Sequence, residues 1–289
     1  MCMTGCVALA SLLVHTHLPH RVDLTLERAE LGQRDPLLMR IDMAFGWLRP
    51  SHYGYNFDTG TGGVGVQVRG PGEDEYRYVH TFGAGGSCVG YPRVRPMVTP
   101  GTHEALHHWV LSHDKTFYAF DKPGDYLVRA WVGLTDVRGE DYVVFSPPQM
   151  VRVTVAKEGA LHAADEVWTT LYRYLEWDIH LPADGAFKLG AAVPRLGDSV
   201  TASAARRLLA LHELRAATTG KDFALALAQV DELREKLPPV GREHLDVATA
   251  EIALDRGEPA AALVRLKRVP NGPRQQRLMD EYKKLTTAR

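Results

Sequence analysis

The hydrophobic pattern of this chain changes period near residue 157. From about Arg21 to Val155 apolar and polar residues alternate, the period of strands with one buried face. Val22, Leu24 and Leu26 alternate with Asp23, Thr25 and Glu27, and Met39, Ile41 and Met43 alternate with Leu38, Arg40 and Asp42. The same spacing returns in Val64-Gly65-Val66-Gln67-Val68-Arg69, Tyr76-Arg77-Tyr78-Val79-His80, and the runs beginning at Tyr126, Tyr142 and Val151. Gly, Pro, Asn and Asp fall between these runs, where turns need them. Seven or so short strands in about 135 residues predict an antiparallel sandwich.

From Gly159 onward the spacing is helical. Val167, Leu171, Tyr174 and Leu175 share one side of a helix over Ala163 to Leu175, and Leu208, Leu211 and Leu214 share one side over Ala204 to Leu214. Further helices are expected over Phe223 to Leu237, His244 to Leu254, Pro259 to Leu266 and Arg274 to Leu285, punctuated by Gly220, Pro238-Pro239, Gly257, Pro270 and Pro273. The pattern divides the chain into a terminal segment (1–20), a β-sandwich (21–157) and a helical domain (158–289). Around Gly220 and again around Gly257 a helix ends, a glycine turns the chain and an alanine-rich helix returns. Such hairpins resemble tetratricopeptide repeats, and an ordinary helical bundle accounts for them as well.

Composition narrows the function classes. The chain has 289 residues, with Lys+Arg 34 against Asp+Glu 35, a net charge of −1 that argues against coating nucleic acid. Hydrophobic residues at 45% and charged residues at 24% exclude global disorder and a membrane bundle. Cys2, Cys6 and Cys88 give neither a disulfide framework nor a metal-binding spacing. The apolar run Cys6 to Val14 has the length of an export-signal core but no basic residue before it, and it is far below the ~20 residues of a membrane span. Residues 1–20 read either as a degraded export signal or as an edge strand or loose terminus.

The stretch Asp121-Lys122-Pro123-Gly124-Asp125-Tyr126-Leu127-Val128-Arg129-Ala130 resembles the turn and penultimate strand of immunoglobulin-like domains in bacterial surface and exported proteins. Pro123 and Gly124 would fix the turn, and the Tyr126 hydroxyl would reach back to a nearby carbonyl as in a tyrosine corner. Val128 stands where antibody domains carry a cysteine. Phe145-Ser146-Pro147-Pro148 and the residues to Val155 resemble the bent last strand of the same domains, with prolines guarding an edge. The likeness spans roughly 35 residues; it implies a fold, a binding or spacer role by analogy, and an exported or envelope-associated setting in a bacterium.

Several motifs suggest chemistry. His103-Glu104-Ala105-Leu106-His107 matches H-E-x-x-H, in which two histidines one helical turn apart hold zinc and the glutamate activates water. The surrounding residues favour a strand, on which His103 and His107 would stand about 13 Å apart, too far for one ion. Gly60-Thr61-Gly62-Gly63-Val64-Gly65 fits a dinucleotide fingerprint but leads into a strand, so no helix amides await a phosphate. His15, His17 and His20 could take a metal adventitiously, and the basic C-terminal stretch reads as a solvated face. Trp47, His52, Tyr53, Tyr55 and Phe57 crowd the segment before the glycine loop, and if exposed together they would form an aromatic platform for a partner.

The reading is a two-part, non-catalytic binding or scaffold protein: an immunoglobulin-like β-sandwich followed by α-helical, tetratricopeptide-like hairpins, with no cofactor. Its expected partner is a protein, with no nucleic acid and no membrane span, engaged by Trp47, His52, Tyr53, Tyr55 and Phe57 and by a helical groove. The alternatives are a zinc-dependent hydrolase built on His103, Glu104 and His107, and a structural subunit of a larger assembly.

Overall fold

Strands precede helices throughout the computed structural model, which describes residues 21–44, 49–50, 64–79, 103–111, 118–135, 141–156, 158–176, 181–270 and 273–287. The strands are β1 (Arg21–Leu26), β2 (Glu30–Gly32), β3 (Leu37–Ala44), β4 (Arg49–Pro50), β5 (Val64–Arg69), β6 (Arg77–Val79), β7 (His103–Val110), β8 (Gly124–Thr135), β9 (Asp141–Phe145) and β10 (Gln149–Thr154). Seven α-helices follow among the described residues: α1 (Glu158–Leu171), α2 (Ala183–Leu196), α3 (Val200–Ala216), α4 (Gly220–Glu235), α5 (Pro239–Asp255), α6 (Pro259–Leu266) and α7 (Pro273–Thr287). A π-helical turn, Tyr172–Glu176, extends α1. The β-then-α architecture follows from the change of period near residue 157.

The described strands form two sheets. One has the order β1-β3-β7; the other runs β2-β10-β8-β5-β6, with β4 and β9 also on β8, and, against the antiparallel sandwich expected from the sequence, it is mixed, because β2 pairs with β10 in parallel. Strand β8 is long because successive partners share it: β10 along its first part, then β9 on residues 131–135, and β5 on residues 127–132. Pro147 and Pro148 lie between β9 and β10 and cannot donate to a ladder. Ser146 bridges this bend, its N–H donating to Ala130 O (2.9 Å) and its Oγ accepting from Ala130 N (2.9 Å). At the other end of β8, Gly124 has φ +139° and a Cβ there would overlap the Pro71 ring, so glycine is required. Beside it the Tyr126 hydroxyl accepts from Lys122 N–H (3.1 Å) and donates to Lys122 C=O (3.0 Å).

The three-stranded sheet is the middle of three layers. Met39, Ile41 and Met43 pack with Val66, Val68, Val128 and Val151 of the larger sheet. The opposite face carries Leu38 and Trp109, which join Ala163, Val167, Leu189, Ala205 and Leu208 of the helices. A third cluster, with Leu214, Phe223, Val230, Leu245 and Leu266, fills the helical hairpins. The polar side of β3, which alternation alone assigns to solvent, is therefore covered: Arg40 and Asp42 face a helix.

Polar locks join the sheets to the helices. Arg34 has a positive φ of 66°, sparsely populated for a residue with a side chain. It is held there by ion pairs to Asp121 (3.0 Å) and Asp165 (2.7 Å), with its guanidinium 5.1 Å from the Tyr118 ring centre. Tyr118 donates to the same Asp165 (2.8 Å), and burial together with that bond pushes its hydroxyl pKa up. Asp35, buried, accepts from Gly32 N (2.8 Å), Thr201 N (2.9 Å) and Thr201 Oγ1 (2.6 Å), so a turn of the β half caps the start of α3. We expect Asp35→Ala to lower stability by about 2–4 kcal/mol, because charge-assisted bonds are lost and buried donors left unmet. Denaturant titration checks this; a loss below ~1 kcal/mol would show that the cap is dispensable.

The helical hairpins are capped by ordinary means. Thr219 and Asp222 exchange hydrogen bonds at the start of α4, as a capping box. Gly257 closes α5 at φ +73°, whereas Gly220 opens α4 with no such demand, so the two glycines are not equivalent. Arg265, almost wholly buried, pairs with Asp231 (2.5 Å), and Arg234 pairs with Asp246 (2.8 Å), tying α4, α5 and α6 together. Helix α2 is absent from the sequence pattern because Gly185, Gly190 and Pro194 lie inside it. Its packing of Leu189, Ala192 and Leu196 outweighs those residues' low helix propensity.

Candidate functional site

The H-E-x-x-H segment lies on β7, in register with β3: His103 opposes Ala44 and His107 opposes Arg40. Positions four apart on a strand are about 13 Å distant, so this pair does not form the helical zinc site. The side chains of His103 and Glu104 lie outside those described. His107 is nearly buried and faces the helices, its Nε2 3.4 Å from Glu243 Oε1. Arg40 completes the group by bridging Glu243 (2.7 Å) and Asp42 (2.8 Å). The His107 ring meets His244 edge-on at 5.7 Å, and Trp109 meets His244 at 5.9 Å. Burial raises the Glu243 pKa, and the Arg40 guanidinium opposes that rise. Among the described residues no group of three or more His, Cys, Asp or Glu is arranged to hold a metal ion. The cluster is a clamp between β3, β7 and α5.

Beside the Arg34–Asp165 pair, two more carboxylate–guanidinium pairs cross the junction among the described residues, this one in part hydrated and another fully enclosed. In the enclosed pair, Arg207 of α3 binds Glu27 beyond the end of β1, both almost inaccessible to water. Burial pushes the Arg207 pKa down and Glu27 draws it back up. Trp109 covers the guanidinium, 5.1 Å from its ring centre. Gly241 in the first turn of α5 lets that backbone approach, since a Cβ would overlap Glu27 Oε1. Gly241→Ala should therefore shift α5 and lower the melting temperature by several degrees, the scale of a 1–3 kcal/mol overpacking cost. A differential scan reads this directly, and an unchanged melting temperature would show that α5 moves freely.

Trp47, His52, Tyr53, Tyr55 and Phe57 lie outside the described residues, as do His15, His17, His20 and Gly60 to Gly63. Val64–Arg69 is the strand β5. Sequence reading did not assemble the surface that the larger sheet presents on its outer face. There Tyr76 and Tyr78 near β6, Gln67 and Arg69 of β5, Arg129 and Trp131 of β8, and Phe145 of β9 become neighbours. Arg129 lies between two rings, 3.9 Å from the Tyr76 centre and 4.0 Å from the Phe145 centre, and its Nε donates to Gln67 Oε1 (2.8 Å). Trp131 lies over Gly65, where a Cβ would come within 2.6 Å of the indole. Tyr78 stands edge-on to it at 5.8 Å and is 54% exposed, too much for a core residue. A separate groove of about 710 Å³ opens between β2, the end of β10, α1 and the α2–α3 turn, lined by Gly32, Val155, Gly159, Gly197 and Ser199 among others.

No protein-family model and no curated protein matches the chain. Solved structures give distant similarities. The sporulation control protein Spo0M of Bacillus subtilis aligns at 15% identity and a TM-score of 0.27, over 50% of this chain and 54% of its own length. The ApaA protein of Bordetella pertussis aligns at 11% identity and a TM-score of 0.27, over 48% of this chain and 98% of its own. The chain therefore spans about half the length of Spo0M. Among the described residues no helix is long and apolar enough to cross a membrane.

Proposed function

We propose that the chain is a non-catalytic binding or scaffold module, an immunoglobulin-like sandwich joined rigidly to tetratricopeptide-like helical hairpins and engaging a protein partner. One observation carries this reading: Glu27, Arg207, Arg40, Glu243 and His107 are occupied in joining the halves, while the outer face of the larger sheet gathers Tyr, Trp and Arg around the exposed Tyr78. Those three residue types are enriched at the energetic centres of protein interfaces. The Tyr126 corner and the bend at Ser146 support the immunoglobulin-like part. The successive helical pairs α3–α4 and α5–α6, packed around one buried cluster, support the hairpin part.

The test is photo-crosslinking from an unnatural residue at Tyr78, with the exposed Lys221 of α4 as the control position. We expect a defined protein adduct from position 78 and none from 221. Adducts from neither Tyr78 nor the segment containing Tyr53 and Tyr55, together with turnover of a substrate, would replace the reading by an enzymatic one.

A further inference from the structure

We infer that the outer face of the seven-stranded sheet is an interface for a second copy of this chain, an assignment that rests on the binding-module reading above. The first ground is an uncompensated, pre-shaped cation. Arg129 has its guanidinium carbon 3.9 Å and 4.0 Å from the centres of two rings and its Nε already bonded to Gln67, which leaves its Nη groups as the donors available to a carboxylate. A guanidinium fixed in this way presents a planar fork that matches a carboxylate. No carboxylate pairs with Arg129 or with neighbouring Arg69 among the described residues, although Arg152 on the same sheet is paired with Asp125 (2.9 Å).

The second ground is an uncompensated pair of acids on the same hairpin. The β5–β6 turn is held by Glu73, whose carboxylate accepts from Gly70 N (2.8 Å) and pairs with Arg77 (2.8 Å). Asp74 and Glu75 beside it are exposed, and no cation pairs with either among the described residues. Arg129 is in register with Gln67, three residues before Gly70, so the arginine row and the acidic turn are about 10 Å apart by strand rise. Tyr76 lies between them.

A patch with a donor fork at one end and acids at the other is self-complementary under a two-fold axis. The axis would pass near Tyr76, and the acidic turn of each copy would meet Arg129 and Arg69 of the other. Tyr78, Phe145 and Met150, all substantially exposed, would supply the apolar part of the contact. A nucleic-acid ligand is disfavoured by the acidic turn at the rim and by the edge-on setting of Tyr78 and Trp131, which offers no run of parallel rings for bases.

The experiment is sedimentation velocity of the full chain at micromolar concentration in low and high salt. We expect a dimer that weakens with salt. Arg129→Glu alone, and Asp74→Arg with Glu75→Arg, should each weaken it about tenfold or more, because a two-fold interface contains every contact twice. The exposed-turn variant guards against Arg129→Glu acting through misfolding. Mixing the two variants should restore part of the one-to-one pairing, since the carboxylate placed at position 129 of one copy then faces the new arginines of the other and the second, unchanged Arg129–acid contact remains, while Arg69 of the first copy opposes the full recovery. A chain that stays monomeric, or a dimer indifferent to both variants, overturns the inference. A monomer that still crosslinks to another protein through Tyr78 overturns it while leaving the binding-module reading in place.

Discussion

Glu27→Ala should cost the protein about 3–5 kcal/mol, a large part of the stability of an ordinary domain. Glu27 and Arg207 are both almost inaccessible, so removing the carboxylate leaves a cation enclosed without its counter-charge. The reverse change, Arg207→Ala, should cost as much and also open a void beside Trp109. Removing both charges together is a different matter. Arg207 Nε and Nη1 make no hydrogen bond among the described residues, so the pair does not recover all that desolvation takes away. Glu27→Leu with Arg207→Met should therefore regain most of the loss from either single change. Urea titrations of the wild type, Glu27→Leu, Arg207→Met and their combination form a double-mutant cycle that measures the coupling, and additive losses would show that the pair does not act as a unit.

Acid should weaken the fold well before the carboxylates titrate. His108 faces the interior between the two sheets beside Met39 and Val110, and burial lowers its pKa from 6.5 to about 4. The residue keeps some exposure, but its Nε2 is out of contact with solvent, so desolvation of the charged ring dominates. Between those two pKa values the unfolded chain binds a proton that the folded chain refuses. Stability is therefore present above the unfolded pKa and falls as pH drops through this window, by about 1.4 kcal/mol for each pKa unit and on the order of 3 kcal/mol in total. His108→Leu should flatten the curve there while leaving the steeper decline below it. Thermal melts of both proteins across the window decide the matter; parallel curves would assign the acid sensitivity to other groups.

Much of the fold was legible because it depends on local spacing. The period-two run from Tyr126 and the Pro123-Gly124 turn led directly to β8 and the hydroxyl bond to Lys122. Helix α2 was not legible, since glycine and proline spoke against a helix whose packing partners lie elsewhere in the chain. The alternation of β3 was read correctly as a strand and incompletely as a surface. Nothing in Leu38-Met39-Arg40-Ile41-Asp42 tells whether the charged side meets water or Glu243 of α5. The outer aromatic face was hidden for a related reason. Tyr76, Tyr78, Trp131 and Phe145 come from different strands, and only the register brings them together. Their one local signal was that Tyr76, Tyr78 and Trp131 fall at positions that alternate with Arg77, Val79 and Val132, opposite to the core-facing valines.

The middle sheet has a consequence for the way the chain is made. Glu27 waits for an arginine 180 residues further along, and Leu38 and Trp109 wait for the same helices to cover them. At ordinary rates of synthesis that separation delays the pairing by roughly 10–40 s, and the finished strands, which end at Thr154, wait with one face uncovered for roughly 3–10 s until Arg207 is made. Until α3 has been made the β half therefore carries an uncovered apolar face, and a message truncated before Arg207 should yield a chain that keeps Leu38 and Trp109 exposed.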